Sequence, residues 1–354
     1  MTVPQPRVHS RYVLALGLLI VIGAGIGLLC VEGGARIYDR WRRGIPLLAN
    51  EKRGALRDDP ALGWAPRESY RNAHGQMTHL GSRYVVHFSQ NSSGMRVCDA
   101  PKGGKTMLFV GDSYTEAWEA SDGREYYCVA AAELGAGAQA LGAGGYGTLQ
   151  ERMVLDRLLA TIHPDLVVLQ ICYNDFINND YDLEKASWQN NHFAKRPYWR
   201  SGRVELLFPT HFSLWFEEAR RHSRVMSNLY DGFVNRSAAT AHSVEEDIEA
   251  GRSERGLEIA AGETREIFGQ IARLTQGTKV IGMEVDLKEP YLTSFRQIFR
   301  ESDIPLVEEP AVAVTAAAAQ GVDVFAGDGV HWSETGHKIA GEALARAIQA
   351  HFSK

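Results

Sequence analysis

Four short apolar runs, near residues 107–111, 138–142, 165–172 and 279–284, alternate with stretches of helical character near 124–134, 149–162, 256–276, 291–301 and 335–351. Strand-length runs without polar alternation read as strands covered on both faces, and strands separated by helices pair in parallel. This rhythm predicts an α/β domain built on a parallel, doubly wound sheet. Open sheets of that kind keep their reactive groups at the carboxyl ends of the strands. Here Met107-Leu108-Phe109-Val110 stops at Gly111-Asp112-Ser113, and Leu166-Val167-Val168-Leu169-Gln170-Ile171 leads to Asn174-Asp175.

Those strand ends carry a chemistry. Tyr114-Thr115-Glu116-Ala117-Trp118 reads as the first turn of a helix, with Ser113 near its N-cap and its hydroxyl exposed. A serine hydroxyl is a weak nucleophile and needs a base within hydrogen-bond reach. His331 suits that role, and Asp328, three residues earlier, is placed to accept the other ring N–H and fix the tautomer. The backbone N–H groups of Ser113 and Gly145 and the side-chain amide of Asn174 are the candidate donors to a developing oxyanion. Glycine at 145, within Gly144-Gly145-Tyr146-Gly147-Thr148, lets backbone approach a substrate closely.

Each block alone is a common turn or cap. In this order, Gly111-Asp112-Ser113, Gly145, Asn174-Asp175 and Asp328-Gly329-Val330-His331 resemble the SGNH (GDSL-type) hydrolase family, in its membrane-anchored bacterial form, over residues 104–352. The resemblance implies a flavodoxin-like SGNH hydrolase fold, catalytic Ser113, His331 and Asp328, and an oxyanion hole of Ser113, Gly145 and Asn174. It implies no cofactor and no metal. One departure is visible: the family's third block has a glycine two residues before the asparagine, where this chain has Cys172. Cys172 reads as a small core hydrophobe rather than a nucleophile. The other eleven histidines read as solvated or satisfied. Asn91-Ser92-Ser93-Gly94-Met95-Arg96 resembles a lead-in of exopolysaccharide-associated members and equally reads as an Asn/Gly turn with a solvent arginine.

Three rival motifs fail. Gly142-x-Gly144-x-x-Gly147 follows the second strand rather than the first, so the dinucleotide fingerprint is misplaced. Gly104-Lys105-Thr106 lacks the leading glycine of a P-loop, since Asp99 stands there. The Gly-x-Ser-x-Gly elbow of α/β-hydrolases is absent.

Tyr12 to Val31 contains no charge, and twenty helical residues rising about 1.5 Å each cover a hydrocarbon core of about 30 Å. A cleavable signal peptide has an apolar region of only about 7–15 residues. The expected organisation is a cytoplasmic tail at 1–11, a transmembrane anchor at 12–31, a membrane-proximal β-containing segment at 32–103 and the hydrolase domain at 104–354. Orientation is contested within the sequence. Arg36, Arg40, Arg42 and Arg43 outnumber Arg7 and Arg11, which favours a cytoplasmic domain. The short tail and the resemblance favour a single-pass protein with its catalytic domain in the periplasm.

A net charge of −5 without a basic tract gives no footprint for nucleic acid. Cys98 and Cys128 have the chance to pair in an oxidising compartment, but spacing alone does not show that they meet. An insertion at about 176–249 interrupts the βα rhythm. It carries Trp188, Phe193, Tyr198, Trp199, Phe208, Phe212, Trp215 and Phe216 among Lys195, Arg196, Arg200 and Arg203. It reads as a helical and β cap over the pocket, its aromatics forming either its own core or a platform for sugars or acyl chains. The function expected is a membrane-anchored serine esterase. Its partner is an acylated glycan, with acetyl among the candidate groups, or another small acyl ester. An O-acyltransferase using the same triad and a non-catalytic glycan-binding or scaffold protein are the alternatives.

Overall fold

A computed structural model describes residues 8–43, 47–48, 54–101, 104–210, 212 and 214–352. Helix α1 (Val8–Arg43) comes first. Two antiparallel hairpins follow: β1 (Leu56–Asp59) with β2 (Gly63–Pro66), and β3 (Arg71–Met77) with β4 (Arg83–Ser89). Next are β5 (Arg96–Cys98), β6 (Thr106–Gly111), the single turn α2 (Ser113–Glu116), α3 (Tyr126–Leu134), β7 (Gly137–Gly142), α4 (Thr148–Ile162) and β8 (Leu166–Ile171). The insertion holds α5 (Asn174–Asn179), α6 (Tyr181–Ala186), the hairpin β9 (Arg196–Arg200) and β10 (Arg203–Leu207), α7 (Leu214–His222), α8 (Arg224–Thr240) and α9 (Val244–Glu249). The chain continues through α10 (Glu254–Leu274), β11 (Lys279–Glu284), α11 (Tyr291–Glu301), β12 (Leu306–Val307), α12 (Glu309–Ala319) and α13 (Glu334–Phe352).

The chain divides into two compact units, Met1–Lys52 with Phe212–Ser237 and Arg53–His211 with Ala238–Lys354. The second contains the six-stranded sheet, in the order β12-β11-β8-β6-β7-β5. Every pairing along it is parallel except that of β5 with β7. Counting only the parallel strands in chain order gives 2-1-3-4-5, the flavodoxin-like winding. Side chains alternate across the sheet as the strand period demands. Leu108 and Val110 of β6 pack with α4, α10 and α11, while Met107 and Phe109 pack with α3, α12 and α13. Both faces are thus dry, which is why the strands read as unbroken apolar runs.

Segment 32–103 does not stand apart from its neighbours. Residues 32–43 continue α1, and β5 is the edge strand of the central sheet. The insertion is likewise divided: residues 212–237 belong to the unit of α1, and the remainder to the unit of the sheet.

In the α1 unit, the Glu32 carboxylate accepts the N–H groups of Arg224 (2.7 Å) and Val225 (3.1 Å) and the Ser223 hydroxyl (2.9 Å). An acidic group at the first turn of α8 suits the helix dipole. Arg36 pairs with Glu32 at 2.7 Å, and Arg224 with Asp39 at 3.3 Å, the latter pair buried. The helix thus runs beyond the expected span of 12–31, and Arg36 and Arg40 lie on its continuous backbone. Ala15–Trp41 is long and apolar enough to cross a membrane, an 18-residue stretch of it having a mean hydropathy of 2.3. Arg7 and residues 1–7 of the expected tail lie outside the described residues.

Cys98, at the end of β5, is joined to Cys128 of α3 by a disulfide with Cα atoms 5.5 Å apart. Closing a loop with a sequence separation of 30 stabilises by about 3–4 kcal/mol through the unfolded chain. Replacing both cysteines with serine should lower the urea unfolding free energy by about 3 kcal/mol. An unchanged midpoint would show that the thiols are not paired in the purified protein.

Candidate active site

Strand β6 delivers Ser113 to the carboxyl edge of the sheet. The Asp112 N–H donates to Gln170 Oε1 on the neighbouring β8 (3.0 Å), and the Asp112 carboxylate caps the Tyr114 N–H (3.0 Å). Asp112, not Ser113, is therefore the N-cap, and Ser113 is the first residue of the turn. The expected helix through Trp118 is cut to four residues, because Ala117 takes a left-handed conformation with φ +52. Arg96 is 3% exposed, so of the two readings of its stretch the solvent arginine falls. Its guanidinium donates to the carbonyls of Ala117 (2.6 Å) and Ala120 (2.9 Å) and pairs with Glu125 (2.5 Å) and Asp122 (2.9 Å). It gathers carbonyls at the helix break, that of Ala117 also accepting the Ala120 N–H at 3.1 Å. The Asn91 turn is as expected, its side chain accepting the N–H groups of Ser93 and Met95.

His331 arrives on the loop before α13. Its Nε2 lies 2.8 Å from Ser113 Oγ, and its Nδ1 lies 2.5 Å from Asp328 Oδ2. The other Asp328 oxygen accepts the N–H groups of Val330 (2.9 Å) and His331 (3.0 Å), which locks the turn. Tyr114 holds the same loop through a 3.0 Å bond from its hydroxyl to the Val330 carbonyl. Burial by itself would lower the His331 pKa. The bond to Asp328 and the carboxylates of Glu119 and Asp112 outweigh it and hold the ring at about 9. Burial would raise Asp328, but the His331 ring and the two backbone donors bring it down to about 2.

The glycine loop after β7 is fixed from two sides. The Gly144 N–H donates to Glu116 Oε2 (2.6 Å), and its carbonyl accepts the Trp64 indole N–H (3.1 Å). Gly145 sits at φ +77, and a Cβ there would run into the His192 ring. Among the described residues no hydrogen bond uses the backbone N–H of Ser113 or Gly145. Gly145→Ala should cost about 1–2 kcal/mol from its left-handed backbone alone, plus the collision. Adding His192→Ala should relieve only the collision, which urea midpoints of the three proteins would resolve.

Asn174 opens α5, with Nδ2 donating to Asn178 Oδ1 at 3.1 Å and Oδ1 against the Cys172 thiol. An amide nitrogen has two hydrogens, so this bond leaves one further donor. Asp175 turns inward to accept the Cys172 N–H (3.1 Å), and burial pushes its carboxyl well above the ordinary range. Burial likewise raises the Cys172 thiol, which keeps it protonated. Among the remaining histidines, His337 is buried, accepts the Tyr126 N–H, and is lowered by burial to about 3. His192 packs against Gly145 of the glycine loop and beside Trp64, with ring centroids 5.7 Å apart.

Several aromatics of the insertion serve its own packing. Phe193 and Tyr198 are buried, and the Tyr198 hydroxyl donates to Glu184 (2.9 Å). Glu184 also pairs with the buried Arg196 at 3.2 Å. Phe212, Phe216 and Tyr230 pack together in the other unit.

No protein-family model matches the chain, and no curated protein matches it. Among solved structures, it is similar to the psychrotrophic esterase EstA from Pseudoalteromonas sp., at 11% identity and a TM-score of 0.42, covering 71% of this chain and 100% of that one. It is also similar to Axe2, an acetylxylan esterase from Geobacillus stearothermophilus, at 15% identity and a TM-score of 0.38, covering 69% and 94%. TesA gives 14% identity and a TM-score of 0.39, covering 70% and 99%.

Proposed function

We propose that this protein is a membrane-anchored serine hydrolase that cleaves acyl esters through a covalent acyl-enzyme. The observation that carries the reading is the continuous line Ser113 Oγ–His331 Nε2–His331 Nδ1–Asp328 Oδ2. In this reading His331 takes the Ser113 proton as Oγ bonds to the ester carbonyl carbon, and Asp328 orients the ring. The carbonyl oxygen becomes an oxyanion facing the N–H groups of Ser113 and Gly145, with the second Asn174 N–H as a third donor. His331 then returns the proton to the departing alcohol, and water attacks the acyl-serine with the same base. The detergent-solubilised full chain should hydrolyse p-nitrophenyl acetate. No turnover above a Ser113→Ala control would refute the esterase reading.

The same proposal places the catalytic unit outside the cytoplasm, with α1 as its anchor. The apolar stretch of α1 and the Cys98–Cys128 disulfide support that side, since reducing compartments do not maintain such bonds. The arginines at 36–43 oppose it, although Arg36 is paired with Glu32. Alkaline phosphatase fused after residue 354 should be active in cells. A silent phosphatase fusion with a fluorescent cytoplasmic counterpart would reverse the orientation.

A further inference from the structure

Glu119 lies six positions after Ser113, beyond the broken helix, and is partly buried. A carboxylate oxygen of Glu119, one of Asp328 and a ring nitrogen of His331 all lie within 4.8 Å of one another. The Glu119 backbone is held from the β3–β4 hairpin, whose Tyr84 hydroxyl donates to the Glu119 carbonyl at 3.0 Å. Glu119, Asp328, Arg83 and Tyr84 together border a cavity of about 760 Å³. The usual orienting carboxylate, Asp328, has a side chain 45% exposed, so water competes for its charge. A second carboxylate at this distance acts on the imidazolium from a less solvated position.

We propose that Glu119 is a positioning residue for His331, a second carboxylate that shares the imidazolium with Asp328 and keeps the ring oriented when that exposed partner is lost. The inference rests on the serine hydrolase reading for its purpose, but not for its physical test. The charged and titratable groups around the ring are Asp328 from its own loop, Glu119 and Asp112 from the segment around α2, the Tyr114 ring, 5.1 Å away, and the buried His337 of α13, which the His331 charge helps to keep neutral. Burial, reinforced by Glu116 and Asp328 and opposed by His331, raises Glu119 to about 7. Glu119, at about 7, is therefore largely ionised by the time the pH reaches about 9, where His331 loses its proton.

The test is a pH titration of the His331 ring by NMR, in detergent-solubilised full chain labelled at histidine. A Ser113→Ala background is used, so no turnover is required. Glu119→Gln should lower the His331 midpoint by about one unit or more, because an anionic neighbour within about 4–6 Å has been removed. Glu119→Asp, which keeps the charge, should stay nearer the parent. With Ser113 intact, the rising limb of kcat/KM should move acidward in Glu119→Gln by the same amount. Asp328→Asn combined with Glu119→Gln should fall at least tenfold below the product of the single losses. An unmoved ring midpoint in folded Glu119→Gln, or losses that simply multiply, would overturn the proposal. Absence of turnover with a shifted ring midpoint would instead refute the hydrolase reading alone.

Discussion

Replacing Ser113 with alanine should reduce ester turnover by about 10⁴–10⁶-fold, and His331→Ala should cost about as much. The double variant should lose little more than either single one, because nucleophile and base act as one unit. Asp328→Asn should lose less, since the His331 ring keeps the carboxylate of Glu119 nearby. Activity needs a neutral imidazole, so kcat/KM of the free enzyme should rise with pH towards about 9, where His331 titrates. The two partners contribute to stability with opposite dependences on pH. His331 is raised from 6.5, so its share is fully present below that value and is lost as pH rises through about 9. Asp328 is lowered from 3.8, so its share is present above that value and is lost as pH falls through about 2. Steady-state rates with p-nitrophenyl acetate from pH 5 to 10 would check the limb, and a flat profile would contradict it.

Arg96→Ala should destabilise the catalytic unit by about 3–5 kcal/mol, the cost of breaking a buried ion pair from one side. The guanidinium and the Glu125 carboxylate are 3% and 2% exposed, so alanine strands a buried acid. It also removes the donors to the carbonyls of Ala117 and Ala120, directly after the turn that carries Ser113. Burial already raises Glu125 to about 7 in spite of Arg96. Its proton uptake in the variant should therefore make the loss smaller at acidic pH. Urea denaturation at pH 6 and pH 8 measures both effects. A change below about 1 kcal/mol, typical of an exposed ion pair, would show that the arginine is solvated after all.

The sheet was legible because its physics is local. Strand β11 occupies residues 279–284 as its apolar run predicts, and β6, β7 and β8 agree to within one residue at each end. What escaped was short or dependent on distant partners. Strand β12 has two residues, and β5 pairs antiparallel at an edge, so neither makes an apolar run. The α12 stretch, Glu309–Ala319, is rich in alanine and shows little amphipathic contrast. Within the site, Asp328 and His331 were readable because three residues of spacing place them on one turn. Glu119 and His192 were not, because only tertiary structure brings them to the histidine and the glycine loop. The two readings of the Arg96 stretch stayed open for the same reason: the arginine's partners are carbonyls at a helix break at Ala117 that no residue pattern announces. The division of the insertion follows from Glu32, Asp39 and Arg224, whose pairing spans nearly two hundred residues of sequence.

The central claim is that Ser113 is the nucleophile activated by His331 and Asp328. The most direct measurement is intact-mass and peptide mapping of the full chain after reaction with a serine-directed fluorophosphonate. The account predicts one adduct per chain, on the peptide containing Ser113, slowed strongly in His331→Ala and absent in Ser113→Ala. Undiminished labelling of a folded Ser113→Ala protein, or an adduct on another residue, would contradict it.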